Sequence, residues 1–279
     1  MQTNPKSLGS LVNFKGKTVL ITGGTRGIGL ETALSFAKLG AKCYLTYRWG
    51  DHDEVEICKE FAAVGASDPV FIQADVSNEE DTMNLLNLIK EKSNFIDIFI
   101  SNVSVSTVIK SFEDYSLKGL KQSISYSSWP LVAYTMKIKE VFNTYPRYII
   151  GVSSTGPDHY SYGYDFVAAS KTVLEVLCRY LNYRLKEENV AVNIVRSRAI
   201  KTKSLENTFG NELEAFMKNL VPDNYWIEPI EVANAIVGLC SGYCDAIRGQ
   251  TINVDRGTRF FDNYMDIYTR HLHTNSPNI

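Results

Sequence analysis

The chain has 279 residues, 44% hydrophobic and 22% charged, with a formal net charge of −2. That is enough for one large α/β domain, and it gives no whole-chain attraction to nucleic acid or to an anionic membrane. No apolar run reaches about 18 residues, so no membrane span is expected, and the N-terminal MQTNPKSLGSLVNFKGK lacks the apolar core of a signal peptide. Five cysteines (Cys43, Cys58, Cys178, Cys240 and Cys244) show no metal-like pairing. No metal site is expected, and a reducing, cytoplasmic location fits.

Short apolar runs alternate with helical patterns along the whole length. The expected strands are 18–22, 42–47, 69–73, 96–100, 147–152, 190–195 and 250–254, mostly β-branched and apolar, as strands buried on both faces are. Helical stretches fall between them, for example 29–40 and 171–188, where Val173, Leu174, Leu177, Leu181 and Leu185 recur near helical spacing. This alternation predicts a single α/β domain. Its core is a doubly wound, Rossmann-like parallel sheet of about seven strands. We place the domain at 15–261, an N-terminal extension at 1–14, and a polar C-terminal tail at 262–279.

The first strand runs into T-G-G-T-R-G-I-G, from Thr22 to Gly29, and then a helix. Glycines there permit positive φ and close backbone approach, and a helix N-terminus offers free N–H groups to a pyrophosphate. Gly23, Thr25, Arg26, Gly27, Ile28 and Gly29 are therefore candidate dinucleotide contacts. NAD-binding chains usually carry an acidic residue at the end of the second strand. Here that stretch reads T-Y-R-W-G-D. Arg48 and Arg26, without an early carboxylate, suit a 2′-phosphate and favour NADPH. Asp51, Asp53 and Glu54 follow closely and weigh the other way.

These motifs, with Asp75-Val76-Ser77, Ser101-Asn102, Ser153-Ser154, Ser170-Lys171 and I-R-G-Q-T-I-N-V-D from Ile247 to Asp255, resemble the short-chain dehydrogenase/reductase family over about residues 14–258. The resemblance implies that Asp75 and Val76 contact adenine, that Asn102 lies along the cofactor, and that Ile200 and Thr202 meet the nicotinamide amide and phosphates. It also implies a homodimer or homotetramer. Several positions depart from the family pattern. The usual N-N-A-G becomes Ser101 to Ser104, Ser125 aligns with the usual catalytic asparagine, the usual P-G becomes Ser197-Arg198, and the G-G after the last strand becomes Arg256-Gly257. Val167 occupies the tyrosine position of Y-x-x-x-K.

Tyr164 lies seven residues before Lys171. That spacing looks like the enoyl-acyl carrier protein reductases of the same family, most of all their NADPH-dependent type III branch, in which Tyr164 and Lys171 would be the catalytic pair. Tyr160 would be a nearby pocket tyrosine, and Ser154 would orient substrate or line the pocket. If the helix reaches back to Tyr164, moving the hydroxyl three residues along it shifts it by about 4.5 Å. An enoyl thioester takes hydride on its β-carbon, so its oxygen lies two bonds farther off than a ketone's. The expected activity is NADPH-dependent reduction of the C=C bond of a trans-2-enoyl thioester, on an acyl carrier protein, in fatty-acid or specialised acyl metabolism. A carbonyl reductase and a catalytically weak NADP(H)-binding scaffold are the alternatives. A basic cluster, Arg196, Arg198, Lys201 and Lys203, follows the sixth strand and is read either as a rim that steers an acidic carrier or as an ordinary solvated loop.

Overall fold

The structure is a computed structural model that describes residues 12–50, 52–105, 107–198, 200, 226–260, 265 and 268. Seven strands form one sheet: β1 (Thr18–Ile21), β2 (Lys42–Tyr47), β3 (Val70–Gln73), β4 (Ile98–Ser101), β5 (Tyr148–Ser154), β6 (Ala191–Ser197) and β7 (Thr251–Val254). Their order is β3-β2-β1-β4-β5-β6-β7, with every pair parallel. The order reverses between β1 and β4. In open α/β sheets that point, at the C-terminal strand ends, forms a crevice.

Alternate residues of each strand feed opposite layers, as the period of two requires. Leu20 and Phe99 point into one core with helices α3 (Glu79–Lys92), α5 (Trp129–Phe142) and α6 (Asp165–Arg184). Val19, Ile21, Ile98 and Ile100 point into the other, with α1 (Gly27–Lys38), α2 (Glu54–Ala63) and α7 (Pro229–Cys240). Phe14, at the edge of the expected N-terminal extension, is buried edge-on against Phe36, with centroids 4.9 Å apart. Among the described residues, no helix is long and apolar enough to cross a membrane.

Two helix boundaries shape the site. The helix expected from residue 171 begins six residues earlier, at Asp165, with Tyr164 as its N-cap. Between α4 (Leu117–Ser127) and α5 the chain breaks at Ser128. Pro130 explains the break, because it has no N–H to donate and its ring clashes with the carbonyl one turn back.

Candidate active site

The site is built on the C-terminal ends of the strands. At the β1–α1 turn, Gly23 (φ +64°) and Gly27 (φ +55°) adopt the left-handed region. A Cβ on Gly29 would collide with the Gly23 carbonyl and lie 2.8 Å from Asn102 Nδ2. Asn102 braces this turn. Its Nδ2 donates to the Gly23 and Thr22 carbonyls at 2.9 and 3.1 Å, and its backbone N–H donates to Thr22 Oγ1 at 3.1 Å. Arg26 is the exposed N-cap of α1 and gives that helix end no side-chain hydrogen bond. Ile28 follows in the first turn, partly buried.

An open cleft lies beside the turn, lined by Gly23, Thr25, Arg26, Arg48, Val76 and Tyr126 among others. At its rim Arg48 Nε pairs with Asp75 Oδ2 at 2.8 Å. Its guanidinium lies over the Trp49 ring at 4.6 Å and the Tyr126 ring at 5.0 Å. The Tyr126 hydroxyl also donates to Asp75 Oδ2, at 3.0 Å. Burial alone would raise the Asp75 pKa. Hydrogen bonds from Ser77 and Tyr126, with the charge of Arg48, outweigh it and hold the carboxyl below its usual range. Arg48 and Asp75 are expected from the sequence as separate cofactor contacts. Their pairing, and Tyr126 as the third member, required the fold.

At the other end, β5 delivers Ser154 and α6 delivers Lys171. The Tyr164 hydroxyl donates to Ser154 Oγ at 3.1 Å. Burial raises the Tyr164 pKa, and its hydrogen bond with Ser154 lowers it by less. Gly156 makes room for that ring, since a Cβ there would lie 2.9 Å from Tyr164 Cδ1 and Cε1. Lys171 is 3% exposed, and its Nζ donates to the Val152 carbonyl at 2.8 Å. Burial lowers its pKa to about 8, with Glu175 one turn on pulling it up. Val167 is 1% exposed, so the position four residues before Lys171 is packed into the protein and carries no acid.

The remaining candidates fall elsewhere. Tyr160 is 85% exposed and does not join the group of Ser154, Tyr164 and Lys171. Ile200 is buried and bridges to Ile227. Thr202, Lys201 and Lys203 lie outside the described residues. Arg196 corrects the expected solvated basic cluster. It is 4% exposed and bonded to Glu175 and Asp158, because a buried guanidinium must find carboxylates. Ser125 bonds its own helix, through the Lys121 carbonyl at 2.9 Å. Ser128, at the helix break, reaches across instead, donating to the Ser170 carbonyl at 2.6 Å, next to Lys171. The sequence signal for Ser128 was Pro130, which fixes where the helix must break.

A glycine turn at the switch point of a parallel sheet, with Ser154 on β5, Tyr164 capping α6 and Lys171 within it, has the layout of a short-chain dehydrogenase/reductase. Residues 23–259 match the model of the family described as "Enoyl-(Acyl carrier protein) reductase", and the chain belongs to that family. It is 27% identical over 253 residues to the enoyl-acyl carrier protein reductase (NADH) of Aquifex aeolicus, covering 88% of this chain and 92% of that protein. It is 25% identical over 259 residues to 3β-hydroxysteroid dehydrogenase 1 of Eggerthella lenta, covering 90% and 97%. Its fold resembles that of a 7α-hydroxysteroid dehydrogenase complexed with NADH and 7-oxo glycochenodeoxycholic acid. The TM-score is 0.78 at 24% identity, over 88% of this chain and 95% of that one. The chain is thus a short-chain oxidoreductase; a short chain dehydrogenase from Burkholderia cenocepacia of the same fold (TM-score 0.77, 21% identity, over 88% of this chain and 99% of that one) was solved in complex with NADP.

Proposed function

We propose that the protein reduces the C=C bond of a trans-2-enoyl thioester, carried on an acyl carrier protein, with NADPH. The observation that carries this reading is the Tyr164 hydroxyl set against Ser154, with Val167 buried where the commoner tyrosine would stand. The glycine turn fits a dinucleotide, because Gly29 keeps clear the space a Cβ would fill and Arg26 leaves the α1 N-terminus without a side-chain cap. Arg48 and Arg26 on the cleft rim support a 2′-phosphate. Arg48 is partly exposed and paired with one carboxylate, a pairing worth at most about 1 kcal/mol in that setting. A phosphate dianion competes well against it.

When bound, the reduced nicotinamide supplies a hydride to the β-carbon. Tyr164 donates a hydrogen bond to the thioester oxygen as negative charge develops there. Lys171, charged below about pH 8, favours that polarised phenol and contributes to holding the cofactor. Without substrate the Tyr164 hydroxyl donates to Ser154 Oγ; when its one hydrogen turns to the thioester oxygen, Ser154 donates to the phenol oxygen instead and keeps it in place. The α-carbon takes its proton from Tyr164 or water.

A second reading, reduction of a ketone, draws on the Ser154–Tyr164 hydrogen bond and on the hydroxysteroid dehydrogenase relative. NADPH oxidation with a crotonyl thioester beside an acetoacetyl thioester separates the two. We expect turnover of the first. Turnover of acetoacetyl thioester alone sinks the enoyl reading in favour of the ketone one, and tight NADPH binding with no turnover of either leaves a cofactor-binding scaffold.

A further inference from the structure

Arg196 is the next-to-last residue of β6. It holds two carboxylates at once. Nε and Nη2 grip Glu175 at 3.0 and 2.5 Å, and Nη1 bonds Asp158. Asp158 also pairs with Arg259 at 2.8 Å, and Glu175 accepts from Ser153 Oγ at 2.7 Å. Four charges therefore alternate in the order Glu175, Arg196, Asp158, Arg259. They join α6 one turn past Lys171, the loop between β5 and α6, and the segment after β7.

Desolvating a guanidinium and a carboxylate is costly, and an apolar pair of equal volume holds a strand to a helix as well. An apolar pair does not reach Asp158. Within that loop, Asp158 and His159 N–H donate to the Thr155 carbonyl and Tyr164 N–H donates to the Ser161 carbonyl, and Ile109 N–H donates to the Gly163 carbonyl at its far end. The loop begins beside Ser154 and ends at Tyr164.

We propose that Arg196 is a positioning residue for Tyr164. By holding Asp158 against α6 it fixes the loop that brings Tyr164 to Ser154, and Arg259 extends the clamp to the chain after β7. This rests on the reading of Tyr164 as the hydrogen-bond donor to substrate, so the test has a readout apart from turnover.

Asp158→Ala removes the partly exposed link and leaves Arg196 paired with Glu175. Amide hydrogen exchange should speed up about tenfold across 155–164, while β5 and the C-terminal half of α6 stay as in the parent protein. NADPH affinity should stay within about twofold, and kcat for the enoyl thioester should fall about tenfold, with Asp158→Glu recovering most of it. Arg259→Gln, an exposed change that keeps the fold, should loosen the same amides by a smaller factor. Unchanged loop exchange in Asp158→Ala overturns the proposal, and so does a kcat loss that Asp158→Glu does not repair. A parent protein inactive on every thioester defeats the proposed reaction but leaves the exchange measurement to judge the clamp.

Discussion

Lys171 pits burial against charge. Its ammonium has one backbone acceptor, Val152, and burial brings its pKa to about 8 while Glu175 pulls the other way. The folded pKa lies below the unfolded value of about 10.5. The charged form is therefore full below about pH 8 and is lost as pH rises through it. If the ammonium supports Tyr164, kcat/KM should show an alkaline limb near pH 8. Glu175→Gln removes the nearest raising charge and should move that limb to lower pH, and a limb that stays put contradicts the assignment. Stability follows the same linkage. The contribution of the buried neutral amine is complete above about pH 10.5 and is lost as pH falls through about 8. Tyr164→Phe keeps the ring in the space that Gly156 leaves and removes only the hydroxyl. It should lower kcat/KM by about 10²-fold or more, while Tyr160→Phe, on an exposed side chain, should change it less than about twofold. Steady-state kinetics on both variants decide this.

At the scale of elements, the α4–α5 break is the feature that the linear pattern handled least well. An ungapped alignment points to Ser125, but that side chain satisfies its own helix. Pro130 stops α4, and the break turns the buried Ser128 hydroxyl toward α6. Ser128→Ala should destabilise the fold by about 1 kcal/mol, near the cost of one neutral buried hydrogen bond, measured by urea unfolding. No measurable change would mean that packing alone holds α4 and α5 to α6. The start of α6 shows the same limitation. The sequence pattern predicts a helix from 171 and leaves its extension back to Tyr164 as an assumption, with Gly163 and Asp165 suiting a loop start; Asp165 instead begins the helix, and its carboxylate accepts from Tyr115 at 2.5 Å. The helix does not include Tyr164, which caps it. The proposed shift of the hydroxyl therefore rests on the cap and on Ser154, and helical spacing alone does not supply it.

For the whole molecule, the sheet order places the glycine turn of β1 beside Asn102 at the end of β4, and both beside the cleft that carries Arg48 and Tyr126. A ligand bound there stabilises the entire fold by mass action, by about 2.7 kcal/mol at a hundredfold excess over Kd. NADPH should therefore raise Tm more than equimolar NADH. Arg48→Ala should remove most of that difference and leave the NADH shift nearly as it was. Equal shifts for the two cofactors in the parent protein would refute the choice of NADPH.

The sequence by itself determined the seven strands, the parallel doubly wound class and the family, because strand periodicity, glycine spacing and motif order are local properties of the chain. It also put Tyr164, Lys171 and Ser154 on one short list. Tertiary structure decided which charges meet. Arg48 with Asp75 and Tyr126, and Arg196 with Glu175 and Asp158, join residues on different strands, helices and loops. Sequence spacing does not carry the distance between such residues. The cost of burying an unpaired charge then moved Arg196 from an expected solvated rim into the interior, between two carboxylates.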